Sequence, residues 1–179
     1  MASIIDFPAT FREQLEQAGM AFKLPPGFIW VAPTANDRVA YHGAVATPAP
    51  RLEIRFHIVS LKRLPLPEGF TPITAVDMNA LHDMHLLALI HNVADHLVSG
   101  PNPLPAEAVQ AEFGADRGTV SRLGLVPSTF SDGFSECMLL ALHREDIADA
   151  YIFFMFDSFE QVAELIQNNF YALTFAQST

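Results

Sequence analysis

The sequence predicts an α+β fold in which a mainly antiparallel central sheet carries helices on both faces, as an α/β/α sandwich. Two segments, 137–143 and 150–156, are apolar at consecutive positions, so strands formed there must be covered on both faces. Between Arg51 and Leu61 apolar and polar residues alternate, which is typical of a strand with one solvated face. From Phe159 onward, apolar side chains recur at the spacing of one helix face.

The N-terminal half is predicted as one helix followed by a meander of strands. Thr10 and Glu13 have the spacing of a capping box, and Gly19 is a typical helix stop. A Pro-Pro-Gly turn at 25–27 separates two short strands that form a hairpin or a bent edge. The predicted elements are a helix at 11–17 and strands at 21–24, 28–31, 38–45 and 51–61.

The C-terminal half contains a long helix, a short helix, a strand, the apolar strand pair and a terminal helix. Ser99, Gly100 and Pro101 are predicted to end the long helix, which would extend for about 36 Å. Ser158 and Gln161 have the spacing of a reciprocal N-cap for the last helix. The predicted elements are helices at 75–98 and 105–113, a strand within 114–126, strands at 137–143 and 150–156, and a helix from Phe159.

This order of elements resembles the Mog1/PsbP-like fold. The resemblance is strongest over residues 136–175, with the tail LLALHREDIADAYIFFMFDSFEQVAELIQNNFYALTF, and EFGADRGT is a weaker echo. Members of that family are partner-binding or accessory proteins, so the resemblance implies a non-catalytic adaptor. It transfers no functional residues to this chain.

Length and composition favour one domain, residues 1–179, and exclude some functions. Ten basic against twenty acidic side chains give a formal charge of −10, which argues against nucleic acid as a partner. No segment is apolar enough to cross a bilayer, and the N-terminus lacks the pattern of a secretory signal. One cysteine excludes an intramolecular disulfide, so we expect a cytoplasmic protein. Half of the residues are hydrophobic, which leaves apolar surface for a protein partner or a homodimer.

Four of the seven histidines fall in the predicted long helix. His82 and His85 lie one turn apart, a workable spacing for two metal ligands, and His57 or His42 on the sheet could complete the set. His96 shares their helix face but lies too far along the axis to bind the same ion. The alternative is that this histidine stripe is a solvated helix face, which would also respond to pH because free histidines titrate near pH 6.5.

Two further groups are candidate partner-binding residues. Phe130 and Phe134 lie in a polar loop, where they either pack into the core or project as anchors for a partner. Arg55 and His57 lie with Glu53 on the polar side of the alternating strand, either as a binding platform or as an ordinary exposed sheet face.

Catalytic motifs are not found. Cys137 is predicted to be buried, no G-x-S-x-G is present, and Gly114 to Thr119 lacks the lysine of a P-loop, so we assign no catalytic residue and no cofactor. The favoured hypothesis is a small non-catalytic binding or accessory protein that acts through a partner surface. The alternatives are a metal-dependent or histidine-based enzyme centred on the helix histidines, and a small-ligand protein with an apolar pocket.

Overall fold

The computed structural model describes residues 8–61 and 78–176. It contains four α-helices, which are α1 (Ala9–Gln17), α2 (Leu81–Val93), α3 (Ala106–Phe113) and α4 (Phe159–Asn169). A 3₁₀ turn, Met78–Ala80, precedes α2. The strands are β1 (Met20–Phe22), β2 (Ile29–Val31), β3 (Gly43–Pro48), β4 (Arg51–Ser60), β5 (Ala94–Pro103), β6 (Arg117–Leu125), β7 (Glu136–Arg144), β8 (Ala148–Phe156) and β9 (Leu173–Phe175).

Seven strands form one antiparallel sheet in the order β2-β3-β4-β8-β7-β6-β5. β1 and β9 form a separate antiparallel pair. β8 lies at the centre of the large sheet, and all nine of its residues are buried. This placement confirms the prediction that an apolar strand must be covered on both faces.

Helices cover both faces of the large sheet. On one face, α1, α3 and α4 contribute Phe11, Phe113 and Ile166 to a buried cluster that includes Ile54 and Phe154. On the other face, α2 and the 128–135 loop cover a second cluster. That cluster includes Leu86 and Leu89 of α2, Phe130 of the loop, and Leu139 and Phe153 of the sheet. The predicted α/β/α sandwich is therefore confirmed.

The long helix predicted for 75–98 is wrong at its C-terminal end. α2 ends at Val93, and the backbone becomes extended at Ala94, where β5 begins and pairs with β6. Helix propensity is a weak preference, and pairing with a distant strand overrides it here. Residues 75–77 of the predicted helix lie outside the described residues.

Two smaller predictions also need correction. β1 and β2 do not pair with each other, because β1 pairs with β9, a strand that was not predicted, and β2 pairs with β3. The hydroxyl of Ser158 donates to Glu160 and does not cap a backbone N–H of α4. In the described ranges, no helix combines the length and the apolarity needed to span a membrane.

Candidate metal centre

Three buried polar residues meet under α2. His143 and Asp149 lie directly opposite each other on the β7–β8 hairpin, and their side chains are on the face that α2 covers. His82, in the first turn of α2, reaches the same point from above. Their relative exposures are 2%, 2% and 1%, so the group is held in the interior.

One carboxylate oxygen joins the three residues. Asp149 Oδ1 lies 2.8 Å from His82 Nδ1 and 2.7 Å from His143 Nδ1. An ionised carboxylate only accepts, so both imidazoles donate from Nδ1. Burial alone raises the pKa of Asp149, but the hydrogen bonds from His143 and His82 outweigh that effect and hold the pKa below its ordinary value. Asp149 is therefore charged at neutral pH.

The second ring nitrogen of His82 has no hydrogen-bond partner among the described residues. Nε2 is fully buried, and no described group forms a hydrogen bond with it. The hydroxyl of Tyr151 lies on the other side of the ring, 3.3 Å from both Nδ1 and the backbone oxygen of His82. Burial, and then the charge of Asp149, raise the pKa of Tyr151, so the phenol stays protonated.

Two more histidines, His57 and His85, contact Tyr151, and His42 lies behind His57. The ring centroid of His85 lies 4.8 Å from that of Tyr151 and 5.3 Å from that of His57, which stacks on His42 at 5.5 Å. Burial lowers the pKa of His42 and of His85, and it lowers the pKa of His57 to about 4, although a hydrogen bond to the backbone oxygen of Ala40 opposes the change. These three rings are neutral at pH 7.

A cavity of about 290 Å³ adjoins the cluster. Among the described residues, the polar ones that line it are Asp149 and His85. The other described lining residues are apolar and come from β4, the residue after it, and α2, namely Val59, Leu61, Leu81 and Met84.

The geometry suits a divalent metal ion. One ligand atom each from His82, His143 and Asp149 lies within 4.8 Å of the other two. Two imidazole nitrogens and a carboxylate oxygen are a donor set that Zn²⁺ and other first-row transition metals accept. Ligand atoms around a tetrahedral ion with bonds of about 2.1 Å stand roughly 3.4 Å apart, so the 2.7 and 2.8 Å contacts at Asp149 would have to lengthen by about 0.6–0.7 Å.

Metal binding at Nδ1 of His82 requires a change of tautomer. If Nδ1 binds a metal, its proton must move to Nε2. The hydrogen bond to Asp149 fixes the present tautomer, and because no described group donates to Nε2, that nitrogen can take the proton when an ion replaces this bond at Nδ1.

The two predicted metal ligands, His82 and His85, occupy different environments in the structure. His82 belongs to the buried cluster, while His85 packs against Tyr151 and lines the cavity. The alternative of a solvated stripe is wrong for His82, which is buried. His96 lies on β5, where its side chain is 65% exposed, so it does not share a helix face with the other two.

The sequence reasoning missed His143 and Asp149. The apolar runs predict a turn at 144–149 between the two strands, whereas β8 begins at Ala148. A polar residue near the end of each apolar strand was the available signal, since a short hairpin places such residues opposite each other.

The four predicted partner-binding residues lie mostly inside the protein. Phe130 and Phe134 are buried, which is the first of the two alternatives stated for them. Arg55 was expected on a solvated face, but the side chain is 1% exposed. It bonds Glu53 and the backbone oxygen of Phe130, because the 128–135 loop covers this part of β4. His57 is half-buried beneath His85 and beside His42.

Comparisons of the chain with protein-family models, with curated proteins and with solved structures find no match. The resemblance to the Mog1/PsbP-like family stays a prediction, and function must be argued from the residues themselves.

Proposed function

We propose that the protein is a metal-dependent, small-molecule-binding protein whose divalent transition-metal ion is held by His82, His143 and Asp149. The observation that carries the proposal is the convergence of two imidazoles and one carboxylate, all nine-tenths buried or more, within ligand distance of each other. A structural network of this kind is costly to bury, and a bound ion would offset that cost.

The position of the cluster supports a functional site over a purely structural one. Structural metal sites are closed by four protein ligands, whereas sites that act on substrates keep a position open. Here the described residues supply three, and Asp149 also lines the adjoining cavity. A metal ion bound there supplies Lewis acidity and lowers the pKa of coordinated water.

Elemental analysis of chelator-treated, tag-free protein after addition of Zn²⁺ or Co²⁺ tests the proposal. We expect about one tightly bound equivalent in the wild type and loss of binding in His82→Asn and His143→Asn. His96→Asn is the matched control, because it removes an exposed imidazole and should leave the stoichiometry unchanged. Absence of a bound equivalent, or equal binding by the wild type and His82→Asn, would overturn the proposal. Circular dichroism shows whether each variant is folded.

A second proposal keeps the favoured hypothesis from the sequence, a surface for a protein partner or for a second copy of the chain. Its support is that Met84 and Leu87, on the outer side of α2, are 67% and 58% exposed. Light scattering tests the homodimer form: Leu87→Lys should halve the mass in solution, while Ile29→Lys, a change at another exposed apolar residue, should not. A monomeric wild type at all concentrations would contradict it.

A further inference from the structure

The cavity beside the metal cluster restricts the size of its ligand. A volume of about 290 Å³ lies at the lower limit of small-molecule sites, so it fits a compact ligand. Among the described residues, four of the six that line the cavity are apolar and none is Lys or Arg. This part of the wall therefore favours a ligand with an aliphatic body and offers no cation to a phosphate.

The two polar lining residues restrict the head group. Asp149 belongs both to the cavity wall and to the proposed ligand set, so the cavity and the metal cluster adjoin at this residue. Two neutral imidazoles and one carboxylate leave one charge of a divalent ion uncompensated, and an anionic oxygen would complete its coordination. His85 stands in the same wall, where a neutral imidazole offers one N–H donor to a second oxygen.

We propose that the cavity binds a small aliphatic monocarboxylate, with its carboxylate on the open position of the ion and its chain against Val59, Leu61, Leu81 and Met84. This inference rests on the proposed metal function and names its ligand class. Without the ion, the charge of Asp149 would repel the same ligand, so binding must depend on the metal.

The test uses Co²⁺-loaded protein and straight-chain carboxylates from acetate to octanoate. The visible d–d bands of the bound Co²⁺ report coordination, and calorimetry gives the dissociation constants. We expect the bands to change with each acid and the affinity to rise about fourfold for each added methylene until the cavity is full. 1-Hexanol and hexylamine, compared with hexanoate, should bind at least tenfold more weakly.

A cavity variant separates the wall from the ion. Val59→Phe adds bulk to the apolar wall, so it should keep the metal and the response to acetate but lose the preference for longer chains. Met84→Trp is a second variant with little risk to folding, because Met84 is mostly exposed, and it should weaken hexanoate more than acetate.

The outcomes distinguish this inference from the function beneath it. If one equivalent of Co²⁺ binds but no carboxylate changes the d–d bands, the proposed ligand class is wrong and the proposed metal centre stands. Coordination without any dependence on chain length would overturn the role of the cavity. Failure to bind Co²⁺ would overturn both.

Discussion

Lowering the pH should destabilise the folded protein through His57. In the folded state its pKa is about 4, against an ordinary value of 6.5. The unfolded chain therefore binds a proton first as the pH falls, so the stability is fully present above pH 6.5 and is lost between pH 6.5 and 4. His42 and His85 oppose protonation of the same ring, whereas Asp149 favours it.

The linkage relation gives the magnitude. With those two pKa values, the free energy of unfolding at pH 5 is lower than at pH 8 by roughly 2 kcal/mol. Because the ring is partly exposed, solvent screening reduces the effect to ~1–2 kcal/mol. For a chain of this size that corresponds to a fall in Tm of about 2–8 °C.

Urea unfolding at pH 8 and pH 5, in the presence of a chelator, measures the effect. His57→Asn keeps a donor for the backbone oxygen of Ala40 but cannot be protonated, so its stability should fall by ~1–2 kcal/mol less than that of the wild type. His96→Asn, at an exposed site, should behave as the wild type does. An NMR titration that gave His57 a pKa near 6.5, or identical pH dependence of the wild type and His57→Asn, would refute the reasoning.

Three further substitutions or reactions test the buried polar groups. Asp149→Ala removes the acceptor that two buried imidazoles share, so it should lower the free energy of unfolding by ~3–5 kcal/mol. Urea titration with chelator present measures this loss, and a value below about 1 kcal/mol would contradict the assigned hydrogen bonds. Burial raises the pKa of the Cys137 thiol well above its ordinary range, so an aromatic disulfide reagent should label it at pH 8 only after unfolding in guanidinium. Stoichiometric labelling of the folded protein would show instead that the thiol is accessible. Arg55→Lys should lower the free energy of unfolding by ~1–3 kcal/mol, because an ammonium ion cannot bond both Glu53 and the Phe130 carbonyl from between two aromatic rings. Thermal unfolding measures the loss, and an unchanged Tm would mean that the guanidinium geometry is not required.

Local patterns predicted the elements that neighbouring residues determine. The β7–β8 hairpin and α4 follow directly from apolar runs and helical spacing, and α3 ends at Phe113 as predicted, followed by Gly114 in a left-handed conformation with φ of 63°. The boundary between α2 and β5 was missed because it depends on β6, a strand that begins well after β5 has ended. Such long-range pairing leaves no signal in the segment itself.

The candidate site was only half predictable for the same reason. His82 and His85 share one helix, so their spacing was readable from the sequence. His143 and Asp149 meet them only because α2 packs across the hairpin, and the predicted turn extends two residues too far at its C-terminal end. The burial of Arg55 likewise depends on a loop that is 75 residues away in sequence.

The central position of β8 also affects the tendency of the chain to aggregate while it folds. Residues 151–156, YIFFMF, contain no charge, proline or glycine, which is the composition of segments that form cross-β aggregates. In the folded protein β4 and β7 occupy both of its edges, so no free edge is offered to another chain. β7 is adjacent to β8 in sequence, but β4 lies far upstream. The β8 edge that β4 covers therefore stays unpaired until β4 docks against it. Refolding yield should therefore fall steeply as protein concentration rises, and variants that loosen β4 should precipitate before they unfold reversibly.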